Sequence, residues 1–140
     1  MMPTKPYVLS VKAVLRDGEG RYLLVKRSAD QGWNPGKWEL PGGKEEAGET
    51  FEGSLRREVN EETGLGITLL RVAGVVEFEL PDLKVACLVL EARPLPGEIR
   101  LSQEHDAYAW AAAAELPEMD LAEPYARFFQ TYPPSSQEAG

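Results

Sequence analysis

The sequence has one cysteine and one histidine among its 140 residues, and no apolar run long enough to cross a bilayer as a helix. Cys87 therefore has no partner for an intramolecular disulfide, and its place in the apolar run Val85 to Leu90 predicts a buried free thiol in a reducing, cytoplasmic setting. One His and one Cys cannot assemble a tetrahedral nitrogen and sulfur site, which excludes zinc of the usual structural or catalytic kind. Met1 to Tyr7 carries a lysine and two prolines where a secretory signal would be apolar, so neither a signal peptide nor a membrane span is expected. Basic residues are scarce as well. Lys and Arg number 15 against 23 Asp and Glu, a formal net charge of -8. A surface of that sign repels phosphate backbones and anionic lipids, so nucleic-acid polymers and membranes are disfavoured as partners, and a small anionic substrate needs local help.

Hydrophobic residues are plentiful at 43%, enough for the core of one domain. That domain is expected over 1–132, with the polar stretch 133–140 as a frayed tail. Tyr7 to Leu15 and Tyr22 to Lys26 are strand-like around Asp17-Gly18-Glu19-Gly20 and read as a β-hairpin. Lys37 to Leu40 makes a short strand-like step into a turn at Pro41-Gly42-Gly43. Phe51, Leu55 and Val59 recur every four positions, which predicts a helix over Thr50 to Thr63 with Thr50 as N-cap, that stripe facing the core, and Gly64 and Gly66 where the helix stops. Thr68 to Glu79 and Leu83 to Ala92 form an antiparallel pair about Pro81-Asp82, and Ala107 to Ala112 is a last strand. Leu121, Tyr125, Phe128, Phe129 and Tyr132 suit a second amphipathic helix. Strands outnumber helices without alternating one for one, so the fold class is α/β with a mixed sheet packed against two helices rather than a doubly wound parallel sheet.

The segment GGKEEAGETFEGSLRREVNEETGL carries the chemistry. On a helical wheel Glu58, Glu61 and Glu62 fall within roughly 100°, near the negative end of the helix dipole, where stability alone would place lysine. Glu62 lies between Phe51 and Leu55 on that wheel, so it points inward and needs a partner. A hard divalent cation, Mg2+ or Mn2+, is the economical partner for oxygen ligands without His or Cys.

The spacing resembles the signature of the Nudix hydrolase family. Gly43, Glu49, Arg57, Glu58, Val59, Glu61, Glu62, Gly64 and Leu65 each stand where that signature requires them. The resemblance implies an α/β/α sandwich with a mixed sheet, and metal-dependent hydrolysis of a nucleoside diphosphate linked to another group. It implies Glu58, Glu62 and the Gly43 carbonyl as metal ligands, and Glu61 as a ligand or a support for the attacking water. Arg57 is expected to pair with Glu49 or Glu61 and hold the carboxylates in place, with Glu46 beside them. Chemically, cations on such a face neutralise pyrophosphate charge and acidify water.

Glu104, followed by His105 and a strand bearing Trp110, matches a position where MutT-like relatives carry a Glu, as an additional ligand or as the base. His105 itself is expected to be structural or solvent-exposed. Arg27, Lys37 and Lys44 flank the motif. Arg27 is the best placed of them for a phosphate contact, while surface charge is the plainer reading for Lys37 and Lys44. Trp33 is left open between base stacking and packing, Phe78 is a comparable aromatic, and Trp38 is expected in the core. The short chain favours a compact MutT-like (d)NTP pyrophosphatase releasing NMP and pyrophosphate. ADP-ribose, nucleotide-sugar or dinucleoside polyphosphate cleavage are the alternatives, with a non-catalytic nucleotide-binding module behind them. A homodimer stays open.

Overall fold

In the computed structural model, residues 5–132 are described, so the expected tail 133–140 lies outside them. The elements run β1 (Tyr7–Leu15), β2 (Tyr22–Arg27), β3 (Trp38–Glu39), β4 (Gly42–Lys44), α1 (Phe51–Thr63), β5 (Ile67–Glu79), β6 (Lys84–Pro94) and β7 (His105–Ala111), then a 3-10 helix (Ala113–Glu118) and α2 (Glu123–Thr131). The strands form two sheets, β4-β1-β6-β5 and β3-β2-β7. Among the described strands β1 and β6 pair in parallel and the other strand pairs are antiparallel, so the four-stranded sheet is mixed as expected. No helix among the described residues is long and apolar enough to cross a membrane.

Alternation along the strands divides the core in two. Val11, Ala13, Leu15 and Leu23 pack with Leu55 and Val59 of α1, whereas Val14, Tyr22 and Leu24 pack with Tyr125 and Phe128 of α2. Both sheets contribute to both clusters and make the middle layer of an α/β/α sandwich. Cys87 is fully buried in the α2 cluster, as expected.

Three expectations need correction. β1 and β2 share only the isolated bridge Arg16 to Tyr22 and belong to different sheets, so they are not a hairpin. A strand has two edges, and those of β1 are taken by β4 and β6. Gly42 and Gly43 are not a turn but part of β4, paired with Val11 and Lys12. Glycine is required there, because Gly42 has φ 137° and an added Cβ would sit 2.1 Å from the Val11 carbonyl oxygen. Phe51, the first residue of α1, is 42% exposed, so Leu55 and Val59 alone carry the helix's apolar stripe into the core.

Candidate active site

Helix α1 starts where Thr50 Oγ1 accepts the Gly53 N–H at 3.0 Å, and ends at Gly64 in the left-handed region, with no basic residue in its last turn. Burial of Leu55 and Val59 fixes its rotation and turns Glu62 inward, where it is 2% exposed. Glu62 Oε1 accepts the Gly42 N–H at 3.1 Å. Burial, with Glu39 and Glu104 adding to it, pushes the Glu62 carboxyl up to about 8 against the opposing pull of Lys12 and the Gly42 N–H. Burial also raises Glu58, with Glu61 and Glu104 adding to it and Arg57 opposing. Glu58 lies so close to Gly43 that a Cβ on Gly43 would stand 1.9 Å from Glu58 Oε1.

Arg57 organises these acids. It makes a bidentate pair with Glu49, Nε to Oε2 at 2.7 Å and Nη2 to Oε1 at 3.0 Å. Nη1 donates to Glu58 Oε2 at 2.7 Å and to Glu61 Oε1 at 3.2 Å, and Nη2 reaches the Lys44 carbonyl. The expected choice between Glu49 and Glu61 is thus both, with Glu58 added. Glu46 stands 3.8 Å from Arg57, at the margin of the cluster. The Arg57 hydrogen bonds, followed by the Glu46 N–H, draw Glu49 down to about 2.

A cleft of about 350 Å³ joins Gly43, Glu58 and Glu104 to Arg27, Lys44, Trp33 and Phe78. Glu61, at 58% side-chain exposure, points outward beside it. Trp33 and Phe78 stack with centroids 5.1 Å apart and 15° between planes, and Arg27 lies over the Trp33 ring. Lys37 instead pairs with Asp120 at 2.8 Å, outside the cleft lining, and Trp38 packs against the α2 cluster. The wider cleft of about 540 Å³ between the 3-10 helix and α2 has Asp120 as its one acidic lining residue, so the carboxylates rather than the volume select the site.

Sequence reasoning missed Lys12 and Glu39, which also line this cleft. Glu39 is 1% exposed and joins three strands: its Oε1 takes Lys12 Nζ at 3.4 Å, and its Oε2 takes Arg27 Nη1 at 3.3 Å and His105 Nε2 at 2.7 Å. His105 is accordingly buried and structural rather than solvent-exposed. Lys12 Nζ also donates to the Gly42 carbonyl at 3.1 Å, and Ser10 Oγ to the Gly43 carbonyl at 3.2 Å. Burial alone would lower the Lys12 ammonium, but Glu39, Tyr125 and Glu62 outweigh it and raise it above its ordinary range. The available signal was a charged residue inside an otherwise apolar run, Lys12 in Val11-Lys12-Ala13 and Glu39 in Trp38-Glu39-Leu40.

Among the described residues no three Asp, Glu, His or Cys side chains converge as a finished ion shell. Glu58 Oε2 is held by Arg57 and Glu62 Oε1 by Gly42. The donors at hand are nonetheless all oxygens, from carboxylates and the Gly43 carbonyl, with Glu62 buried and Glu58 half-buried beside other acids. That chemistry suits a hard divalent cation and little else.

A family profile described as "NUDIX domain" matches residues 6–132. Nucleoside triphosphatase NudI of Klebsiella pneumoniae is 34% identical over 118 residues, covering 76% of this chain and 84% of that protein. The crystal structure of a MutT protein from Methanosarcina mazei Go1 superposes with a TM-score of 0.87 at 35% identity, covering 99% of each chain. A MutT Nudix hydrolase from Burkholderia pseudomallei gives 0.78 at 27% identity, covering 91% of this chain and 99% of the other.

Proposed function

This chain belongs to the Nudix hydrolase family, and from that premise we propose that it hydrolyses nucleoside triphosphates to the monophosphate and pyrophosphate with Mg2+ or Mn2+. The family is generally dependent on divalent metals. The observation that carries the reading is one cleft lined together by the carboxylates of Glu58 and Glu104, by the basic side chains of Arg27 and Lys44, and by the stacked rings of Trp33 and Phe78. A nucleotide needs all three surfaces. The similarity to a nucleoside triphosphatase and to MutT proteins points to the same substrate class.

In this reading Glu58, Glu62 and the Gly43 carbonyl hold the cation, with Glu61 and Glu104 contributing from the margin. Bound there, a divalent ion neutralises phosphoryl charge and acidifies water. Arg57 orients Glu58 and Glu61 and keeps Glu49 ionised, with Glu46 supporting it. Arg27 and Lys44 bind the phosphate chain, while Trp33 and Phe78 offer an apolar face to the base. Water attacks phosphorus, the α–β anhydride bond breaks, pyrophosphate leaves, and Glu104 accepts the proton of the water. The buried Cys87 thiol suits a reducing cytoplasm.

The test is turnover on a panel of NTPs, dNTPs, 8-oxo-dGTP, ADP-ribose, nucleotide sugars and dinucleoside polyphosphates, with Glu62→Gln alongside. Nucleoside triphosphates should give the highest kcat/KM, and the variant should lose about 100-fold or more in kcat. A clear preference for ADP-ribose would overturn the substrate class, and an unimpaired variant the site.

A further inference from the structure

Of the acids lining the carboxylate cleft, Glu39 is held by Lys12 and Arg27 and Glu58 by Arg57. The third, Glu104, has a carboxylate with no hydrogen bond or ion pair among the described residues. It nonetheless stands near enough to Glu58 and Glu62 for its charge to raise both. A side chain without a partner is aimed by its backbone alone, so whatever holds that backbone aims the carboxylate.

On one side the hold is made by serines. The Ser28 N–H donates to the Glu104 carbonyl at 2.9 Å, the Ser28 hydroxyl to the Gln103 carbonyl at 2.9 Å, and the Glu104 N–H to Ser102 Oγ at 3.3 Å. On the other side stands His105, whose side chain is fully buried and whose Nε2 lies 2.7 Å from Glu39 Oε2. A proton on Nδ1 would be buried without an acceptor among the described residues, so we assign the proton to Nε2, which donates it to Glu39. Strand β7 is irregular at this point. Lys26 is registered with Ala107 and Arg27 with His105, so Asp106 is an extra residue directly after His105. Such a bulge re-aims side chains: here His105 is buried and Asp106 exposed. Stability alone does not call for this arrangement, because a buried charged network is often no better than a well-packed apolar one.

We propose that His105 is a positioning residue for hydrolysis: its hydrogen bond to Glu39 fixes the backbone that carries Glu104, and with it the place where that carboxylate meets the attacking water. The inference rests on the reading of Glu104 as the acceptor of the water's proton. Because Arg27 bonds the same Glu39 oxygen, a phosphate contact and the proton acceptor are keyed to one buried carboxylate.

The experiment measures kcat and KM of the whole protein with Mg2+ and a nucleoside triphosphate for Glu104→Gln, His105→Leu, His105→Asn and His105→Gln, and for the Leu and Asn changes combined with Glu104→Gln. Glu104→Gln should lower kcat about 100-fold. His105→Leu and His105→Asn, which cannot reach Glu39, should each lower kcat about 10-fold with KM within about twofold. His105→Gln, whose amide can take the place of Nε2, should recover most of that loss. In the Glu104→Gln background the His105 changes should cost less than about twofold more, because His105 acts through Glu104. Two such variants keep this comparison open if one of them fails to fold. Loss of the same factor with and without Glu104 marks a purely structural role and overturns the proposal. Full turnover by Glu104→Gln overturns the reading of Glu104 itself, and the proposal with it. Independently of turnover, nitrogen NMR of the chain's sole histidine should show Nε2 protonated, and a bare Nε2 overturns the proposal.

Discussion

A methyl group added at Gly43 would meet Glu58 Oε1 at 1.9 Å, whereas one added at Gly42 would meet the Val11 carbonyl at 2.1 Å. A side chain can swing away; a paired backbone cannot. Gly43→Ala should therefore displace the Glu58 carboxylate, lowering kcat about 10-fold to 100-fold with a small change in melting temperature. Gly42→Ala should instead destabilise the fold by about 2 to 4 kcal/mol, seen as a lower urea midpoint. At this scale the acidic motif was legible, because Glu58, Glu61 and Glu62 stand at fixed helical spacing. Lys12 and Glu39 were not: in strands, a single charged residue reads as solvent-facing until the register shows what lies opposite. Their burial follows from β4 closing over β1 and from β2 pairing with β7, neither of which the local sequence announces.

At the scale of elements, Glu39 on β3 ties together Lys12 of β1, Arg27 of β2 and His105 of β7. Burial by itself would raise its carboxyl, but Lys12, His105 and Arg27 draw it down to about 2. Because the folded-state value lies below the unfolded one, the stabilisation is fully present above the ordinary carboxylate range. It is lost as pH falls from about 4.5 towards about 2. Melting temperature should fall steeply across that window in the wild type and less steeply in Glu39→Gln, which removes the titrating group. Helix α1 offers a contrasting test. Thr50→Ala removes the cap on the Gly53 N–H and should cost about 1 kcal/mol of stability while leaving KM unchanged. The helix, its cap and its stop were legible from a 3.6-residue pattern and a glycine. The sheet order was not, because the Asp17 to Gly20 turn looks the same whether the chain folds back beside β1 or crosses to another sheet.

Across the whole molecule, the charge of -8 is unevenly spent. Around Arg57 four carboxylates, Glu46, Glu49, Glu58 and Glu61, lie within ion-pair distance of one guanidinium. Glu62 is buried behind them. Such an arrangement gains from a bound cation in the folded state alone, so Mg2+ should raise the melting temperature, and Glu62→Gln should reduce that rise. EDTA should abolish turnover and excess Mg2+ restore it. Phosphorus NMR of a nucleoside triphosphate incubated with the protein and Mg2+ reads the reaction directly. Nucleoside monophosphate and pyrophosphate should accumulate in equal amounts, and not with Glu62→Gln. Release of nucleoside diphosphate and inorganic phosphate, or no reaction with any nucleoside triphosphate, would contradict the proposed reaction.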